Sequence, residues 1–316
     1  MSRYIAQRAA WVAVVLLGVS AFTFALLHLV PGDPALILLG PMATPQEVTR
    51  LHQELGLDRA LAVQFAIWLA HVGHGDLGRS ITLHRPVLGE LLLRFRGTVI
   101  LAFGAVIVAF GPGIVLGVLA AQRPGRVLDR VSMIVTVAGA SIPPFWLGMI
   151  LIILFSLRLR WLPGTGMSSP SGAATFADVV THLLLPAATL GALPLAIITR
   201  VARTGMIEAL RGEYVRTARA KGLGEAAVTV KHAFRNTLVG IVTVLGLEMG
   251  FLLAGAVYVE TVFDWPGVGL MLVNAILTRD FPLVQGAVLL VATTYVIINL
   301  LTDLLYAYVD PRIRFE

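Results

Sequence analysis

Arg216, Arg219, Lys221, Lys231 and Arg235 fall within residues 213–235, EYVRTARAKGLGEAAVTVKHAFR, interleaved with alanine and glycine between two long apolar stretches. Cations beside small residues offer charge-assisted hydrogen bonds to acidic groups and let a second chain approach closely. That is the chemistry of docking rather than of bond making. A second charged group, Glu248, sits midway along the apolar stretch Thr237–Val259. A bare carboxylate at that depth costs about 2.5–3.5 kcal/mol on insertion scales, so it must face the protein interior, water or a partner. Two roles are open to it: a structural pair across a subunit contact, or a place along a solute path.

Several enzyme classes are excluded by residue type. The chain has no H-E-x-x-H, no G-x-S-x-G and no cysteine, which removes the common zinc, serine and thiol chemistries and any disulfide framework. Its two lysines, Lys221 and Lys231, do not end a G-x-x-x-x-G-K-[ST] loop, so no P-loop nucleotide site is expected in this chain. His71, His74 and His84 have no acid or thiolate at a metal-binding spacing. Gly73 to Gly78 reads as a turn, because no strand precedes it to make a phosphate cradle.

The elements that carry these groups follow from composition. Hydrophobic residues make up 57% of the chain and charged residues 13%, with a mean hydropathy of +0.86; the main solvent of such a chain is lipid. Six stretches have the roughly 17–25 residues that a helix needs to cross a hydrocarbon core: Ala9–Val30, Thr98–Ala121, Val131–Leu157, Leu183–Thr199, Thr237–Val259 and Leu283–Thr302. The expected fold is therefore all-α, a polytopic membrane protein with six transmembrane helices. The first stretch is too long for an ordinary signal sequence and is read as a retained helix. The fourth is short, carries Pro186 and Pro194, and borrows Thr181, His182 and Arg200 at its ends. Within the third, Pro143 and Pro144 remove two backbone donors at membrane depth. The break either shapes packing alone or belongs to a segment that lines or moves with a path.

Residues 31–97 are too long for a turn. Thr44-Pro45 with Glu47 predicts a helix start, and a second helix is expected over Leu61–His71, with Leu61, Phe65, Trp68 and Leu69 on one face for the membrane surface or neighbouring loops. With the N-terminus inside, the cytoplasmic segments collect Arg3, Arg8, Arg123, Arg126, Arg130, the cations from Arg200 to Arg235, Arg312 and Arg314, which is 15 of the 24. The net charge of +6 thus reads as a topology signal, and nucleic acid is not an expected partner.

Tyr214 to Leu223, followed by Lys231-His232-Ala233-Phe234-Arg235-Asn236, resembles the cytoplasmic EAA loop of ABC importer permeases in the dipeptide, oligopeptide and nickel branch. Pro31-Gly32-Asp33-Pro34, Gly75 to Ser80, Glu260 to Gly269 and Asp310 to Arg314 are similar to the same branch, so the resemblance spans almost the whole chain. It departs from the general loop pattern at Arg216, where a glutamate is usual, and at Arg235, where a proline is usual.

The resemblance implies an ABC type I importer permease fold, a non-enzymatic transport subunit for di- or oligopeptides. Close relatives carry nickel chelates, glutathione or oligosaccharides. It implies a second permease, two ABC ATPase subunits that bind ATP and Mg, an extracytoplasmic solute-binding protein, and the bacterial cytoplasmic membrane with both termini inside. Tyr214, Arg216, Ala218, Arg219, Ala220, Lys221, Gly222 and Leu223 would couple to the ATPase. The small residues would sit in its groove and the cations would meet acids on its rim, while Gly222 and Gly224 let the chain turn. Glu248, Pro143 and Pro144 are pathway candidates, and Glu260, Pro266 and Gly267 candidates for an outer loop. The expected division is a first helix over 1–30, an extracytoplasmic segment over 31–97, a five-helix core over 98–309 with its coupling loop at 201–236, and a tail at 310–316. A self-powered secondary transporter is the rival class, and the absence of an internal repeat of the third or fourth span speaks against it.

Overall fold

The computed structural model describes residues 2–29, 39, 43–56, 58–169 and 175–309. The 31–34 and 310–314 motifs therefore lie outside the described residues. The elements are α1 (Ser2–Leu29), α2 (Pro45–Leu55), α3 (Leu61–Gly73), α4 (Val87–Gln122), α5 (Val127–Ser141), α6 (Pro144–Leu151), α7 (Phe176–Leu210), α8 (Glu213–Ala220), α9 (Glu225–Ala227), α10 (Arg235–Val262), α11 (Val268–Leu277) and α12 (Phe281–Val309). Wider π-helical turns at Ile152–Arg158 and Val228–Phe234 extend α6 and join α9 to α10. Among the described residues the only strand-like pairing is a single bridge between Arg79 and Pro86.

Four helices are long and apolar enough to cross a membrane: Val87–Gln122, Phe176–Leu210, Glu225–Val262 and Phe281–Asp303. A fifth crossing is formed if the pair Val127–Ser141 and Pro144–Arg158, bent by 107°, counts as one span. The sixth expected span, α1, is a helix of 28 residues, but its described apolar stretch, Ala10–Leu26, is shorter than that standard. The helices also overrun the apolar stretches that announced them. α7 reaches 35 residues, with Pro186 and Pro194 buried inside it, because protein covers the backbone groups that a proline frees.

Met1–Gly97 and Gly267–Val296 form one compact unit, and Thr98–Pro266 with Ile297–Glu316 the other. In the first unit, Thr44 caps α2 by accepting from the Glu47 amide, while the Glu47 carboxylate accepts from the Thr44 amide at 2.8 Å. On α3, Phe65 and Trp68 lie 5.4 and 6.5 Å from the Phe24 ring of α1, while Leu61 is exposed. The Gly-rich run is a turn, as its spacing predicts; Gly75, at φ 80, closes α3 while the Asp76 amide donates to the His71 carbonyl. Val87 and Leu91 pack with Met271 and Ala275 of α11 and with Leu283 and Ala287 of α12.

In the second unit α4, α7 and α10 form one continuous core. Leu101, Leu190, Leu252, Phe263 and Trp265 fill one end, Ala109, Ile198, Ala202 and Ile241 the middle, and Ala121, Met206 and Ala233 the other end. Association between spans depends on close packing, since lipid is as apolar as the side chains. Gly117 supplies that closeness: a Cβ there would stand 2.7 Å from the Thr199 carbonyl oxygen and 2.6 Å from the Ala202 methyl. The α4 and α7 backbones touch.

Candidate functional site: an exposed basic loop and the helices that carry it

The loop between α7 and α10 is a folded module. Val215 and Ala218 lie three residues apart on α8, so they share a face, and both are buried against Val228 with Leu210 alongside. The Ala218 methyl points into its own chain, where it holds α8 down. Tyr214, Arg216, Ala220, Lys221 and Leu223 are exposed. The Gly222 amide donates to the Arg219 carbonyl at 2.9 Å and the Leu223 amide to the Ala218 carbonyl at 3.3 Å, the bond pattern of a helix ending on a left-handed residue. Gly222, at φ 77, is that residue. Gly224 has ordinary extended angles and caps α9. Of the two glycines expected to permit the turn, only Gly222 needs a glycine's freedom.

Arg219 is already paired. Its Nε and Nη2 donate to the two carboxylate oxygens of Glu225 at 2.8 and 3.1 Å, which clamps the end of α8 to the start of α9. A second pair supports the module from beneath. Asp129, in the first turn of α5, is buried and accepts from the Arg203 Nε, from its Nη2 at 2.8 Å and from the Gly125 amide at 2.8 Å. Sequence reasoning counted Arg203 only among the inside cations and missed Asp129. The available signal was an acid at the start of an apolar stretch that needs a cation on a neighbouring span.

Beside the module, α7 and α10 border an open groove of about 710 Å³, lined by Arg200, Thr204, Glu208, Tyr214, Asn236 and Thr237 among others.

The proline pair does more than kink a helix. Ile142 takes extended angles, as a residue before proline must, then Pro143 caps α6 and Pro144 opens it. A small apolar cavity of about 60 Å³ lies at this break, walled by Ile142, Pro144, Leu147, Thr189, Phe251 and Gly255. Residues 248, 251 and 255 share one face of α10, so Glu248 stands one turn from that wall. Its Oε2 is buried and has no hydrogen-bond partner among the described residues.

Of the candidates for an outer loop, Glu260 and Gly267 are buried and Pro266 is partly exposed. Glu260 is in the last turn of α10, fully buried, and accepts from the Thr98 hydroxyl at 2.7 Å. Phe263 and Trp265 are core residues, and the Trp265 amide donates to the Glu260 carbonyl at 2.9 Å. The two aromatic side chains anchor this turn, in which Asp264 is exposed, and Gly267 is the buried cap of α11.

In the first unit, Asp280 is a buried carboxylate that accepts from the Ser80 hydroxyl, from the Thr82 hydroxyl at 2.6 Å and from the Thr82 amide at 3.0 Å. Burial works to raise its pKa, but the hydrogen bonds from Ser80 and Thr82 outweigh it and leave Asp280 below the usual range. Among the described residues no group of three histidines or acids has a metal-binding arrangement; His74 is bonded through Nδ1 to the Ala70 carbonyl at 2.8 Å.

The chain thus carries apolar helices long enough to cross a membrane, of which α4, α7 and α10 share a packed core, and a folded basic loop between α7 and α10. Two family models match almost the whole chain: "Binding-prot-dependent transport system membrane comp, N-term" over residues 1–102 and "Binding-protein-dependent transport system inner membrane component" over residues 113–315. The di/tripeptide transport system permease protein DppB of Pseudomonas aeruginosa and the dipeptide transport system permease protein DppB of Escherichia coli K12 are each 42% identical, over 100% of both chains. The glutathione transport system permease protein GsiC of Salmonella choleraesuis is 41% identical, also over 100% of both. Among solved structures, the methionine ABC transporter MetNI in an inward-facing conformation matches with a TM-score of 0.54 and 18% identity, over 70% of this chain and 96% of the other; that likeness concerns the fold. The chain belongs to the family of binding-protein-dependent transport system inner membrane components. It is a multi-pass ABC importer permease subunit, not an enzyme.

Proposed function

We propose that this permease passes di- or oligopeptides, paired with a second permease, driven by two ABC ATPase subunits that hold the ATP and Mg, and fed by an extracytoplasmic binding protein. The observation that carries the coupling role is the module at residues 213–228. Its apolar side is packed down and its cations face solvent, as a contact for another subunit requires. The full-length similarity to proteins named as dipeptide and di/tripeptide permeases supports the peptide substrate. Both termini and the 213–235 loop are placed in the cytoplasm, and residues 31–97 outside. Because the chain has no cysteine, single thiols test this cleanly. An impermeant thiol reagent added outside should label Gln53→Cys and spare Leu223→Cys, both positions being exposed. The reverse pattern overturns the topology.

Glu248 is assigned to the solute path beside the α5–α6 break. Reconstituted with its partners, Glu248→Gln should leave the complex assembled and change the ratio of cationic to anionic peptide uptake by about fivefold, which corresponds to about 1 kcal/mol. A lost or heat-labile complex would instead make Glu248 half of a structural pair, since removing one member strands the other. An unchanged ratio in an intact complex removes it from the path.

A further inference from the structure

We infer that the groove between α7 and α10 is an exit site that holds a short peptide by both of its charged ends; the inference rests on the peptide-importer reading. Arg200, Thr204 and Glu208 recur at every fourth residue, so they form one stripe along α7. All three line the groove, together with Tyr214. The side chains of Arg200, Glu208 and Tyr214 make no hydrogen bond or ion pair among the described residues. The nearby charges behave differently: Asp129 holds Arg203, and Glu225 holds Arg219. An unpaired cation and an unpaired anion thus face one groove.

Their separation suits the ligand. Eight residues of helix place the two side chains about 12 Å apart, too far to neutralise each other. An extended dipeptide spans about 7 Å, and a charge-assisted contact at each end adds about 3 Å. The peptide carboxylate falls on Arg200 and the peptide ammonium on Glu208, with Thr204 and Asn236 beside the central amide. Exposed ion pairs are weak, so the affinity is of about millimolar order. A weak site suits release, and its position beside α8 places it next to the element proposed to receive the ATPase stroke.

The test uses the whole complex in nanodiscs, without binding protein, and measures binding of three probes: Ala-Ala, its N-acetyl form and its C-terminal amide. Each cap should weaken binding about three- to fivefold in the wild type. In Glu208→Gln the acetyl group should no longer matter while the amide still does. In Arg200→Gln the amide should no longer matter while the acetyl still does. Equal binding of the three probes to the wild type overturns the inference without recourse to any variant. So does an equal loss of all three probes in both variants when thermal melting finds the complexes intact. Uptake of Ala-Ala by the wild-type complex with its binding protein is measured in parallel. Uptake without the charge-matched pattern rejects the groove alone, whereas no uptake of Ala-Ala rejects the peptide reading and the groove together.

Discussion

Gly222→Val should leave an assembled permease in the membrane whose binding-protein-stimulated ATP hydrolysis and transport fall at least about tenfold, the equivalent of about 1.4 kcal/mol. The cause lies in the backbone. Gly222 stands at φ 77 with open space where a Cβ would go, so nothing in the chain itself blocks a side chain. An L-residue in that conformation costs about 1–2 kcal/mol, more for a β-branched one, and avoiding the cost means giving up the two hydrogen bonds that end α8. Leu223 and the Arg219–Glu225 clamp would then be misplaced together. Asparagine separates conformation from bulk, because it enters the left-handed region more readily than other non-glycine residues. If Gly222→Asn keeps a substantial part of the coupling, conformation is the cause. If it fails as completely as valine, the small size of Gly222 at the partner's surface is what matters. Full coupling in Gly222→Val would remove the module from the transmission of force.

The Arg219–Glu225 clamp changes what a charge reversal reports. On sequence alone, Arg219→Glu would test a contact with an acid on the ATPase. With the clamp present, the same change first sets two carboxylates against each other within the loop. The swap Arg219→Glu with Glu225→Arg distinguishes these: recovery identifies the clamp as the main role, and continued failure identifies an outside acid.

Residue patterns announced what depends on local periodicity and missed what depends on neighbours distant in sequence. The apolar stretches located the long helices, Thr44-Pro45 with Glu47 located the start of α2, and the Gly222 turn followed from the glycine. The spans of α7 and α10 were read too short, because apolarity marks where lipid lies and these helices continue past it as polar, protein-covered turns. The burial of Ala218 and Glu260 was illegible, since an alanine in a basic loop and a glutamate near a span end each acquire an inside only when Val228 or Thr98 arrives from elsewhere in the chain. The 107° break was half legible. Two prolines foretold an interruption, but the angle depends on what α7 and α10 present to the gap.

Asp129→Ala should lower the thermal stability of the purified complex by about 5–10 °C. The change leaves Arg203, a quarter exposed, without its carboxylate and frees the Gly125 amide. Breaking a fully buried pair from one side costs about 3–5 kcal/mol, and the exposure of Arg203 reduces that to about 2–3 kcal/mol. At about 2–4 °C per kcal/mol for a domain of this size, the expected shift follows. The double variant Asp129→Ala with Arg203→Ala should recover most of the loss, because it removes the stranded guanidinium along with its partner. Transport then separates anchoring from mere stability. Asp129 ties the first turn of α5 to α7, and α7 leads directly into α8. The double variant should therefore melt near the wild-type temperature yet hydrolyse ATP with less transport per turnover, since the stroke received at α8 no longer carries α5 with α7. Additive losses in the two single variants would mean that the pair contributes no coupling energy. Wild-type transport in the double variant would mean that α5 follows α7 through packing alone.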